Sequence, residues 1–229
     1  GGGNNNTASG SSTVGGVAGA ATNSGISTAG GVAMPPTDGA QRATVGGGGK
    51  NTASGTYSTV GGGASNTAGG PYAAVPGGWG AVASHHGEMA HASGWFAYPN
   101  AGQAQTSVYV LRRTTTSATA TELFLDGDTA TQRLTIASGR SVTFDVLVVA
   151  RTEAGASAGY RFWGVIENHA GTTGFVGTPQ KTVLGEDVAG WDATITADDT
   201  NDALVIAVLG SVGTTIRWVA TARTVEVAW

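Results

Sequence analysis

Residues 51–63 read NTASGTYSTVGGG, and residues 6–16 already spell nearly the same phrase, NTASGSSTVGG. The phrase returns on a fixed step. Gly10, Gly25, Gly55 and Gly70 hold one position of it, and Val14, Ala29, Val45, Val60 and Val75 hold the small apolar position before each glycine pair. The step is 15 residues, with one slip to 16 around MPPTDG at residues 34–39. Glycine-rich, charge-poor sequence ordinarily stays disordered, because it offers too little apolar surface to offset the entropy of ordering. A strict period is the contrary signal. Small apolar and polar residues alternate within each unit, first Thr52-Ala53-Ser54 and then Tyr57-Ser58-Thr59-Val60, and glycine closes each run. That pattern predicts two short strands and two tight turns per unit. A unit this small has no core of its own and must stack on its neighbours, so the repeat predicts a parallel β-roll, a solenoid. Its inward positions are predicted to hold only Ala, Val, Ser or Thr. Six coils at about 4.8 Å each would make a rod of roughly 30 Å, too slender to be stable alone, and a trimer of parallel rolls is the expected completion.

Composition changes sharply after residue 100. Residues 1–100 carry 26 of the 39 glycines, no leucine and four charged side chains, Asp38, Arg42, Lys50 and Glu88. Everything beyond them has the makeup of an ordinary folded domain. The predicted organisation is a repeat roll over 1–94, a junction over 95–105 and a second domain over 106–229. Net charge is -4, all of it in the second half, and no basic patch is offered to a phosphate backbone, so nucleic-acid binding is not expected. No apolar run of about 18 residues occurs, so no membrane insertion is expected. Without cysteine there is no disulfide framework and no thiolate metal site. The chain starts inside a repeat and without methionine, as expected of the C-terminal part of something longer.

At the junction the sequence becomes WGAVASHHGEMAHASGWFAYPN, and Trp79, Trp95, Phe96 and Tyr98 arrive where a solenoid needs a cap. Two readings are open: a cap and trimer seam, or aromatic platforms for sugar rings. His85, His86 and His91 fall within seven residues. They are read either as turn histidines or as an axial metal site built from three chains.

Ten strand candidates follow: residues 107–113, 121–125, 132–136, 141–151, 158–168, 173–177, 181–185, 191–197, 203–210 and 214–229. Turn sequences such as DGD and DDTND separate them. This spacing predicts an antiparallel β-sandwich, jelly-roll-like. Val142, Phe144, Val146 and Val148 should share the buried face, with Tyr160, Phe162 and Ile166 beside them. The opposite face holds Trp163 and stays partly apolar, which suits a neighbouring subunit or a ligand platform.

For chemistry, the sequence offers carboxylate groups at Asp126/Asp128, Glu186/Asp187 and Asp198/Asp199/Asp202. Paired carboxylates suit glycoside hydrolysis or Ca²⁺, but all lie in predicted turns, where Asp supports the backbone. There is no cysteine and no GxSxG, and outside the junction the single histidine is His169. No catalytic, cofactor or metal residue is therefore assigned. The receptor-contact candidates are Trp163, Trp191, Asp126 and Asp128.

The 15-residue repeat resembles the head repeats of trimeric autotransporter adhesins and, more closely, the STVGGG-type repeats of bacteriophage tail fibres and tailspikes. Residues 102–229 resemble a C-terminal domain of phage tail-fibre-like proteins and of prophage or bacterial surface proteins. The resemblance implies a homotrimeric virion tail protein that attaches to a host polysaccharide or other surface receptor, and that meets other tail or baseplate proteins. The alternative is a bacterial trimeric surface adhesin. It carries over no catalytic residue, so this chain is expected not to be an enzyme, with any depolymerase placed before residue 1.

Overall fold

A computed structural model gives the fold of the 229-residue chain and describes residues 7–8, 12–14 and 42–229. Gly10, Gly25, Ala29 and the MPPTDG slip lie outside the described residues. The chain is all-β and divides into two compact units between Ser107 and Val108.

The first unit is the roll. Its strands are β1 (Thr7–Ala8), β2 (Ser12–Val14), β3 (Ala43–Val45), β4 (Thr52–Ala53), β5 (Thr59–Val60), β6 (Thr67–Ala68), β7 (Ala74–Val75), β8 (Gly78–Trp79), β9 (Val82–Ala83) and β10 (Met89–Ser93). Among the described residues these strands pair in parallel. Thr52 pairs with Thr67 and Thr67 with Val82, while Thr44, Thr59, Ala74 and Met89 pair in succession. In these pairs the sequence period is the sheet register: each residue sits on the one 15 positions before it.

Ala43, Val45, Ala53, Val60, Ala68, Val75, Ala83 and Ala90 fill the interior. The expectation that only Ala, Val, Ser and Thr point inward fails at Asn51, Asn66 and Glu88, all fully buried. The asparagines stitch coil to coil. Asn66 donates from Nδ2 to the carbonyls of Gly62 and Gly78, at 3.0 and 2.9 Å, and its Oδ1 accepts from the Ala81 amide. Asn51 repeats the pattern one coil earlier, with Gly47, Gly63 and the Asn66 amide. Turn backbone that faces inward at these corners needs such partners, because a buried unpaired amide or carbonyl is costly. Glycine is required for a different reason. A Cβ on Gly61 would land on the carbonyl oxygen of Pro76 in the next coil, closer than real Cβ atoms come to anything.

The second unit is a sandwich built from β11 (Ala104–Thr115, its first residues in the roll unit), β12 (Thr121–Glu122), β13 (Arg140–Thr152), β14 (Ser157–His169), β15 (Thr172–Phe175), β16 (Gln180–Glu186), β17 (Asp192–Asp198), β18 (Ala203–Leu209) and β19 (Ile216–Ala228). Antiparallel β13 lies between β14 and β19 along its length, and β14 carries both β15 and β16 on its far side. The second sheet runs β12-β18-β17. Val142, Phe144, Val146 and Val148 share one core with Tyr160, Phe162, Ile166 and Trp218, and with Leu204, Ile206 and Val208 of the other sheet.

Residues 132–136, expected as a strand, form only an isolated bridge at Thr135 to Ala203. Leu134 and Ile136 do enter the core, and their backbones bond to Leu204 and Asp202. The apolar alternation there reports burial without a continuous ladder.

Candidate functional site

Positive φ recurs along the roll in columns stepped by 15 residues, one of them Gly48, Gly63 and Gly78. A second column holds Lys50, Ser65 and Gly80 at φ 58°, 55° and 77°, and a third holds Tyr57, Tyr72 and Gly87. Position 95, one further step along the Lys50 column, is Trp95. Its indole lies against the bare Cα of Gly80, in the space that a side chain there would occupy. Trp79, next to that column, meets Trp95 with ring centroids 4.6 Å apart, and Trp95 meets Tyr98 at 5.4 Å. These rings and Gly49, Lys50, Ala64 and Ser65 line a cleft of about 490 Å³. Trp79 is 48% exposed and Tyr98 70%, so the cleft presents aromatic faces to solvent.

The end of the last coil is closed by side chains as well as by rings. Gln105 accepts from the Val82 amide and donates back to the Val82 carbonyl, as a further strand would. Gly102 donates to the carbonyl of Gly80. Buried Glu88 accepts from the amides of Ser84 and His85, from Nδ1 of His85 at 3.0 Å and from the Ser107 hydroxyl at 2.8 Å. Burial by itself would raise its carboxyl. The hydrogen bond and charge of His85, with the other donors, outweigh burial and hold it below the ordinary carboxylate value.

The sequence-derived candidates separate. Trp79, Trp95 and Tyr98 converge on the cleft, whereas Phe96 is 74% exposed. The three histidines point to different partners: His85 to Glu88, His86 to the ring of Tyr72, and His91 alongside Gly78. No group of three or more metal-ligating side chains converges among the described residues of the single chain.

Trp191, offered as a receptor contact, is corrected by its burial. At 3% exposure it packs on Trp218 and donates from Nε1 to Ser211. Trp163 is 39% exposed beneath the guanidinium of Arg161. Asp126 ties its turn through the amides of Thr131 and Gln132 and the Thr131 hydroxyl; those bonds outweigh slight desolvation and lower its pKa. Asp128 accepts from the Thr114 amide. In DDTND, Asp198 caps Thr200 and Asn201, while Asp199 and Asp202 hold Thr173.

No protein-family model matches the chain, and no curated protein matches it. Similar solved structures include two phage tailspikes. One is tailspike gp49 of Acinetobacter baumannii bacteriophage Fri1, a capsular polysaccharide depolymerase, at 9% identity and TM-score 0.32. The match covers 82% of this chain and 37% of that one. The other is the tailspike of Acinetobacter phage vB_ApiP_P1, at 11% identity and TM-score 0.29, covering 82% of this chain and 40% of that one. The chain thus spans about two fifths of the length of either tailspike. The expectation that this chain is not an enzyme is corrected here: a structure to which it is similar is that of a depolymerase, and a non-enzymatic assignment is unsupported.

Lys50 and Ser65 were not among the sequence-derived candidates. The signal was present, since residues 50, 65, 80 and 95 stand 15 apart. Once the period is taken as a register, Lys50 falls in line with Trp95.

Proposed function

We propose that this chain is the distal part of a homotrimeric bacteriophage tail fibre or tailspike that recognises polysaccharide on the host surface. The roll, 1–94, is the spacer, residues 95–105 form the junction, and the sandwich, 106–229, is the terminal knob. The observation that carries the reading is the cleft of Trp79, Trp95 and Tyr98. Exposed aromatic faces around a concave site match the apolar C–H faces of hexose rings, while the hydroxyls at the ring edges keep contact with water. Three copies per particle would raise the effective concentration, so that weak single-site contacts add up to firm attachment.

The test is binding of fluorescently labelled protein to a panel of bacterial cells. Staining of particular strains is expected, with loss after their surface polysaccharide is stripped. Tyr98→Ala and Trp79→Ala should each weaken binding about tenfold, some 1.4 kcal/mol, without lowering the melting temperature of the sandwich. Staining that survives stripping, or that is indifferent to both substitutions, would sink the reading. Release of shortened chains from the same polysaccharide should be measured alongside, because it reports hydrolysis separately from attachment.

A further inference from the structure

Among the described residues that line the cleft, one is charged. Lys50 is exposed at its edge and makes no ion pair with any described residue. It also occupies a left-handed corner, where glycine is the least strained residue and where Gly80 stands two coils later. Its side chain lines the same cleft as Trp79, Trp95 and Tyr98. Successive corners of the column are one coil apart, so Lys50 and Gly80, with Trp95 lying on it, are separated by about 10 Å. Ser65 adds a hydroxyl between them.

We infer that the cleft selects an acidic saccharide: one hexose ring stacks among Trp95, Trp79 and Tyr98, and the carboxylate of a sugar about two rings away pairs with Lys50. This rests on the saccharide reading of the cleft and adds its chemical class. Neutral glycans would use the rings but leave the ammonium unpaired. An anionic peptide is disfavoured by the flat aromatic walls, and by the lack of a second cation among the residues that line the cleft.

The experiment uses the full chain and a panel of bacterial surface oligosaccharides, in which every uronic-acid member is paired with its carboxyl-reduced form. At least one acidic member should bind about tenfold tighter than its reduced partner. That preference should vanish in Lys50→Gln, persist in Lys50→Arg and shrink as salt is raised. Equal binding of acidic and reduced forms, or a preference unchanged in Lys50→Gln, overturns the inference and leaves the saccharide reading standing. Failure of every member to bind overturns both. Lys50 is exposed, so neither substitution threatens the fold, and an unchanged melting temperature confirms it.

Discussion

Asn66 does more for the roll than its size suggests. Its side-chain amide bonds to Gly62, four residues back, and to Gly78 and Ala81 in the coil after it, while its backbone N–H donates to Oδ1 of Asn51 in the coil before. Asn66→Ala takes this partner from two part-buried carbonyls and from the buried Ala81 amide, and should destabilise the roll by about 1–3 kcal/mol, read as an earlier thermal transition of that unit. Glu88 sets a pH dependence at the last coil. Its carboxyl is held below the ordinary value of 4.5, so its stabilising effect is complete above that value and disappears as pH falls through the lower, folded one. Acid melting of the native chain should show this loss, and Glu88→Gln should remove the dependence while costing stability at neutral pH. Neither inward residue could be recognised by type, because asparagine and glutamate in glycine-rich sequence read as turn residues. What makes them inward is a bond to the next coil, 12 residues on, for Asn66, and to Ser107 of β11, 19 residues on, for Glu88.

Among the elements, β13 and β14 illustrate what period-two alternation conveys and what it leaves out. Val142, Phe144, Val146 and Val148 face the core as their spacing predicts, since a pleated strand must turn every second side chain to the same side. Phe144→Ala should therefore cost about 3–5 kcal/mol. On the other face Arg161 forks onto Asp145 with two bonds of 2.9 Å, but both side chains are well exposed. Asp145→Ala should change stability by about 1 kcal/mol or less, and urea melts of the two variants would separate the cases. The alternation misled at residues 132–136, where Leu134 and Ile136 are buried but the backbone reaches only single partners. It was equally silent on Trp191. A tryptophan opening a strand after a glycine turn looks surface-exposed until Trp218, 27 positions on, is known to lie against it at 5.8 Å.

At the scale of the whole molecule, the outer face of the sandwich's large sheet exposes Val110, Leu147, Val149, Trp163, Val219 and Val225. An apolar face of this kind suits the proposed trimer. Light scattering should then give three times the chain mass of 22.6 kDa, and Leu147→Glu should shift the distribution towards single chains. A mass of one chain for the unaltered protein would rule the trimer out.

The register of the roll also governs how such a shaft can change length. From β3 to β7, residues answer to those 15 positions away, through backbone pairing, the asparagine stitches and glycines with no room for a side chain. Removing residues 52–66 would leave Asn51 joined to Thr67 and every ladder intact, one rung shorter. Removing seven residues would turn inward groups outward and set side chains against carbonyls. Length in the roll is therefore counted in units: whole ones can be gained or lost by duplication or slippage with little penalty, while half a unit would break the register.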